Sequence, residues 1–128
     1  MGTGGLSRQD RGGGWSAYCS QKAAVDMLTR CVAMEVADFP IRVAAISPGP
    51  FESRMQQIIR KTDLKSFPYR DKFVRLHRDG QLAAPEFFAK IFLDIACTDW
   101  PELSGMVADL RAADFQKECR KRGIEMVL

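Results

Sequence analysis

A nearly continuous apolar segment at residues 41–47, ending in Pro48-Gly49-Pro50, is the feature that most restricts how this chain can fold. Because its apolar residues do not alternate with polar ones, the strand that it predicts should be buried on both faces, as in a parallel sheet covered by helices. Residues 105–110 predict a second strand. A long, helix-containing connection joins the two, so they should run parallel with a right-handed crossover.

Helical patterns surround these strands and complete an α/β arrangement. They are predicted at residues 16–38, 51–61, 70–78, 85–97 and 113–121. The first carries an apolar stripe, formed by Val25, Leu28, Val32 and Val36, that is broader than a solvent-facing helix needs. This stripe predicts an ordinary core helix, and packing of part of the helix against a second subunit is compatible with that prediction. Residues 1–14 are glycine-rich and predict a flexible leader before one domain at residues 15–128.

Tyr18 and Lys22 are the best candidates for chemistry, because residues four apart share one face of a helix. A free phenol has a pKa of about 10 and is a poor base at neutral pH. A neighbouring ammonium favours the phenolate and should lower that pKa. The pair could then give a proton to, or take one from, a carbonyl or alcohol oxygen. By itself this spacing is common and better suits a packed tyrosine beside an exposed lysine.

The wider context resembles the short-chain dehydrogenase/reductase family. The Tyr-Lys helix is followed by a buried strand, the Pro48-Gly49 turn and, near the C-terminus, a strand ending in Asp109-Leu110-Arg111. The segment Gly14-Trp15-Ser16-Ala17-Tyr18-Cys19 is similar to the branch of sepiapterin and benzil reductases. The resemblance covers about residues 13–128 and implies the C-terminal half of a Rossmann-like, doubly wound parallel sheet, with two parallel strands and flanking helices.

The resemblance implies an oxidoreductase that moves hydride between NADP or NAD and a small carbonyl or alcohol. Tyr18 would be the acid/base and Lys22 would tune it and hold the nicotinamide ribose. Pro48 and Gly49 would shape the turn beside the nicotinamide, and Ser53 would contact the cofactor. Ser53 is almost equally suited to be a helix N-cap. Two aromatic residues, Trp15 and Phe51, would either line the substrate pocket or simply pack.

Other features of the family pattern are not matched by this sequence. Gly2-Thr3-Gly4-Gly5 does not follow a strand, so it is not expected to bind phosphate. The family's catalytic serine would fall at Gly5, and the nearby Ser7 is out of register. We therefore expect weak or no dinucleotide binding by this chain alone, and a homo-oligomer or a complex with a related full-length subunit. The alternative is a non-catalytic remnant that only dimerises or binds such a subunit.

Composition excludes several other classes of function. The net charge is only +3, and the basic run near the C-terminus contains no interleaved aromatic residues, so a nucleic-acid partner is not expected. The four cysteines are scattered without a C-x-x-C pair, which argues against a metal site and predicts mostly buried, reduced thiols. Neither a secretory signal nor a bilayer-length apolar run is present, so a cytoplasmic protein without a membrane partner is expected.

Overall fold

The computed structural model describes residues 15–126. Along this part of the chain, five α-helices and two strands follow one another in the order α1–β1–α2–α3–α4–β2–α5. The helices are α1 (Ser16–Glu35), α2 (Arg54–Lys61), α3 (Arg70–Arg78), α4 (Pro85–Cys97) and α5 (Ala113–Lys121), and a 3₁₀ turn covers Pro101–Leu103. The predicted leader at residues 1–14, which includes Gly5 and Ser7, lies outside the described residues.

The strands β1 (Ala45–Ser47) and β2 (Val107–Asp109) pair in parallel, with Ala45 opposite Val107 and Ser47 opposite Asp109. The predicted α/β class, with two parallel strands flanked by helices, is therefore confirmed, and it fits part of a Rossmann-like domain. Both strands are shorter than predicted. Pairing extends beyond β1 only as single hydrogen bonds, such as the 2.8 Å bond that Gly105 N–H donates to the Val43 carbonyl.

Helix α1 ends at Glu35, three residues before the predicted end, and Val36 forms its C-cap. Its apolar stripe is largely uncovered within the described residues, since Val25 is 49% exposed and Leu28 is 61% exposed. Only Thr29 of this helix is buried. The interpretation of α1 as an ordinary core helix is therefore wrong for this chain, because periodicity shows which face is apolar but not what covers it.

The core lies instead between α4, β2, α5 and the C-terminal segment. Its buried members are Phe88, Ile91, Ile95, Trp100, Leu103, Leu110, Phe115, Cys119, Ile124 and Met126. Helix α4 begins at Pro85, whose fixed φ suits a first helical turn, and presents the predicted apolar face to this core. Trp100 stacks on Phe115 at a centroid distance of 5.5 Å, and the Arg122 guanidinium covers Trp100 at 4.2 Å.

The basic run near the C-terminus is engaged within the chain. Lys121 donates to Glu118 at 2.6 Å, and Arg122 pairs with the same carboxylate at 2.8 Å. Together with the stacking of Arg122 on Trp100, these contacts tie Lys121 and Arg122 to other side chains of the same chain.

The cysteines differ from the prediction. Cys119 is fully buried in the core and Cys19 is partly buried, whereas Cys31 and Cys97 are exposed, and all four are free thiols. The expectation of mostly buried thiols is therefore wrong. The prediction failed because Cys31 and Cys97 lie on faces of α1 and α4 that no other described element covers.

Candidate active site

A cavity of about 400 Å³ opens where the carboxyl ends of β1 and β2 meet the start of α1. In open parallel sheets, ligands bind beyond the carboxyl ends of the strands. The structure brings all five sequence-predicted site residues to this cavity: Tyr18, Lys22, Pro48, Gly49 and Ser53. They come from α1, from the turn after β1 and from the residue before α2, so the fold unites positions that are distant in sequence.

Tyr18 stands in the first turn of α1, partly buried against Trp15. The two rings meet edge to face at a centroid distance of 5.4 Å. Burial raises the pKa of the Tyr18 phenol above its ordinary value of 10.0, and the charge of a Cys19 thiolate would raise it further. The phenol is therefore protonated at neutral pH and suited to donate a proton rather than to accept one.

Lys22 lies one helical turn after Tyr18, with its Nζ atom over the phenol ring at 5.6 Å from the ring centroid. Its ammonium is exposed, so water screens its charge. The predicted lowering of the Tyr18 pKa by Lys22 is wrong for this structure, because burial raises that pKa and Lys22 is not among the groups that shift it. The predicted proximity of the two groups on one helix face is confirmed.

The turn after β1 is held in place by the end of β2. Gly49 has φ +87°, a left-handed conformation that glycine adopts without strain, and its N–H donates to the Ser47 hydroxyl at 3.4 Å. The Arg111 side chain passes so close that a Cβ on Gly49 would lie 2.8 Å from Arg111 Cδ. Arg111 is fixed in turn by Asp109, to which it donates from Nε at 2.9 Å and from its terminal nitrogen at 2.6 Å.

Ser53 is the N-cap of α2, since its hydroxyl accepts a hydrogen bond from the Gln56 N–H at 3.3 Å. The helix starts three residues later than predicted because Phe51 instead forms an isolated parallel bridge with Ala83. The N-cap role that the sequence left open for Ser53 is therefore present. Ser53 also lines the cavity, so capping does not remove this residue from the site.

An aromatic wall closes one side of the cavity, and sequence reasoning found only part of it. Trp15 and Phe51 line the cavity, which is one of the two roles that the sequence predicted for them. Phe73 of α3 lines it as well. Trp15 packs on Phe67 and Phe73 at centroid distances of 5.0 and 5.8 Å. Phe73 and Gln56 were missed because nothing in their local sequence shows that α2 and α3 fold back over the cavity. The single histidine, His77, is exposed outside it, as predicted.

Comparisons with known proteins agree with this geometry. Residues 5–64 match the short chain dehydrogenase family. The chain is 39% identical over 88 residues to the benzil reductase ((S)-benzoin forming) of Bacillus cereus, and 39% identical over 84 residues to that of Bacillus subtilis (strain 168). It is 42% identical over 69 residues to the sepiapterin reductase of Mus musculus. The chain belongs to the short-chain dehydrogenase/reductase family. Within that family its similarity lies with the benzil and sepiapterin reductases, as the sequence around Tyr18 predicts.

These matches cover only part of each relative's length. The aligned segments cover 67%, 64% and 54% of this chain, but only 35%, 35% and 25% of the three relatives. No solved structure shows a significant match. Within residues 15–126, no helix combines the length and apolar character needed to cross a bilayer.

Proposed function

We propose that this chain carries the proton-donating and nicotinamide-facing part of a short-chain reductase site that acts on a small carbonyl or alcohol. The observation that supports this most is the convergence of Tyr18, Lys22, Gly49 and Ser53 on one cavity at the carboxyl ends of β1 and β2. The names of the relatives, benzil reductase and sepiapterin reductase, favour a carbonyl substrate with an aromatic or heteroaromatic body.

In this proposal Tyr18 is the general acid. The carbonyl oxygen of the substrate accepts a hydrogen bond from the phenol, and the phenol proton moves to that oxygen as negative charge develops on it. Lys22, above the ring, stabilises the phenolate that remains. In the reverse direction the phenolate takes the proton of an alcohol. The aromatic wall of Trp15, Phe51 and Phe73 orients the substrate body.

NADP or NAD would supply or accept the hydride. The described residues fit the nicotinamide side of such a cofactor. Gly49 lets the backbone approach closely, the Ser53 hydroxyl is a hydrogen-bonding group, and Lys22 offers an exposed ammonium to ribose hydroxyls. We expect this chain alone to bind either dinucleotide weakly or not at all, as measured by titration with NADPH and with NADH.

The direct test is consumption of NADPH and of NADH by the chain in the presence of benzil. Tyr18→Phe keeps the ring and removes only the acidic proton, so it should lower the rate by about a hundredfold to ten-thousandfold. The matched control is Tyr69→Phe, which alters the other tyrosine, located at the start of α3 outside the cavity lining. Its rate should equal that of the unsubstituted chain.

Two results would contradict the proposal. An active Tyr18→Phe variant would remove Tyr18 from the chemistry. A chain that folds but turns over neither cofactor, even with added full-length relatives, would instead favour the alternative of a non-catalytic subunit that associates through α1.

A further inference from the structure

Two buried polar atoms in the described part of the chain have no hydrogen-bond partner, namely Trp15 Nε1 and Gln56 Oε1. Trp15 is 7% exposed and Gln56 is 5% exposed, so water does not replace the missing partners. Buried donors and acceptors in folded proteins are nearly always paired, because an unpaired one loses its hydrogen bonds to water and gains nothing. These two unpaired atoms therefore call for a partner from outside the described residues.

Both residues line the cavity that contains Tyr18, although they come from different elements. Trp15 immediately precedes α1 and is wedged among the rings of Tyr18, Phe67 and Phe73. Gln56 lies in the first turn of α2, whose start the Ser53 cap fixes. A molecule in the cavity would therefore lie beside the two residues whose polar atoms lack partners among the described residues.

The chemistry of the two atoms defines what that molecule must offer. An indole N–H only donates, and the amide oxygen of glutamine only accepts. The ligand must therefore carry one acceptor for Trp15 and one donor for Gln56. The charged side chains among the described residues that line the cavity are Lys22 and Asp26, one of each sign, so a neutral ligand suits the site. The aromatic wall favours a flat ring beside these groups.

We propose that Trp15 and Gln56 determine specificity for aromatic carbonyl compounds that carry a ring amide next to the reacting carbonyl. The amide oxygen accepts a hydrogen bond from Trp15 Nε1, and the amide N–H donates one to Gln56 Oε1, while the ketone faces Tyr18. This inference rests on the proposed function for the position of the reacting carbonyl. The amide contacts themselves require no turnover and can be measured by binding alone.

The test compares isatin, an aromatic ketone with an adjacent ring amide, with N-methylisatin, which lacks only the amide donor. Binding of each compound is measured by isothermal titration calorimetry. The unsubstituted chain should bind N-methylisatin about tenfold more weakly than isatin, because methylation leaves the Gln56 oxygen buried without a partner. Gln56→Leu should bring that ratio close to one. Trp15→Phe should weaken both compounds and leave the ratio unchanged, since both retain the amide oxygen.

Gln57→Leu is the matched control, because Gln57 is the next residue of α2 and is exposed. It should keep the tenfold preference. A purely structural role of Gln56 would weaken both compounds equally in Gln56→Leu and leave the ratio intact, which would overturn the inference. Equal affinities of the unsubstituted chain for the two compounds, or binding of neither, would also overturn it. A chain that shows the preference but oxidises neither NADPH nor NADH, even with added full-length relatives, would refute the proposed function and leave this inference standing.

Discussion

At the scale of single residues, the proton of Tyr18 is governed by burial. Burial against Trp15 disfavours the phenolate and raises the pKa of the phenol. The ammonium of Lys22 lies above the ring but is not among the groups that shift this pKa. The same residue pair would behave differently if another chain or a cofactor covered Lys22, because a less screened cation acts more strongly on its neighbour.

Tyr18 should accordingly ionise above pH 10.0, its ordinary pKa. Because the folded pKa is raised, the stabilisation that it contributes is present below pH 10.0 and is lost as the pH rises through the folded pKa. The ultraviolet absorbance of tyrosinate during an alkaline titration measures the ionisation midpoint. Subtracting the curve of the Tyr18→Phe variant isolates the contribution of Tyr18. An ionisation midpoint below pH 10.0 would show that Lys22, rather than burial, dominates.

Gly49 offers a second test at this scale. Gly49→Ala should destabilise the chain by about 1–2 kcal/mol for the left-handed backbone, with a further loss from the contact with Arg111. Gly80→Ala is the matched control, because Gly80 also has a positive φ, +65°, but nothing lies within 4 Å of its added Cβ. Chemical denaturation measures both variants. Equal losses of unfolding free energy in the two variants would mean that the Arg111 side chain moves aside without cost and does not hold the turn.

At the scale of elements, the carboxyl ends of the two strands are joined by side chains as well as by the ladder. Asp109, the last residue of β2, fixes Arg111, and Arg111 covers the turn after β1. Burial raises the pKa of the Asp109 carboxyl, but the hydrogen bonds from the Arg111 side chain and backbone outweigh burial, and the pKa is lowered. The position of the turn beside the cavity therefore depends on a charged carboxylate.

Asp109→Asn should consequently lower the unfolding free energy at neutral pH by about 1 kcal/mol, a typical value for a partly exposed ion pair. The folded pKa lies below the ordinary value of 3.8, so the contribution is present above that pH and is lost as the pH falls through the folded pKa. The difference between the variant and the unsubstituted chain should therefore shrink below about pH 4. Thermal unfolding across pH measures it. The exposed Asp38→Asn variant is the control and should leave the unfolding free energy at neutral pH unchanged, and a pH-independent difference for Asp109→Asn would contradict the argument.

Sequence reasoning did well on elements whose ends are set locally. The bounds of α3, α4 and α5 agree with the structure, because Pro85 starts α4 and Gly123, with φ +75°, follows the end of α5. It was less accurate where the outcome depends on distant residues. Phe51 was predicted to lie in α2 but instead pairs with Ala83. The length of β1 depends on how far it pairs with β2.

The candidate site divides in the same way. The five motif positions were predicted from spacing and from resemblance, and they do surround one cavity. The unpaired atoms of Trp15 and Gln56 could not be predicted, since their lack of partners arises only when α1 and α2 are placed together. The pKa of Tyr18 was predicted in the wrong direction because the depth of its burial is a tertiary property.

At the scale of the whole molecule, the described residues place their core around α4 and α5 and leave an apolar surface along α1. Val25, Met27, Leu28 and Met34 are 49%, 56%, 61% and 78% exposed. Exposed apolar side chains concentrated on one helix are typical of interaction surfaces. Because burying apolar area stabilises by roughly 25 cal/mol per Å², covering this patch offers a substantial driving force for association.

We therefore expect the chain to form dimers or larger oligomers at tens of micromolar, as measured by analytical ultracentrifugation. Leu28→Glu, which places a charge in the middle of the patch, should weaken association at least tenfold. Leu93→Glu is the matched control, because Leu93 is 63% exposed on α4, away from α1. It should leave association unchanged. A monomeric unsubstituted chain, or equal effects of the two variants, would exclude α1 as the interface.

The burial of Cys119 makes one sulfur a reporter of opening in the core. Its side chain is 0% exposed, and burial raises the pKa of its thiol. An alkylating reagent needs access to the sulfur and needs the thiolate form, and the native state provides neither. In a chain whose Cys19, Cys31 and Cys97 are replaced by serine, reagent can reach Cys119 only in molecules whose α4 and α5 have separated. The rate of alkylation then measures how often the core opens, and from it the free energy of local opening is obtained without any denaturant.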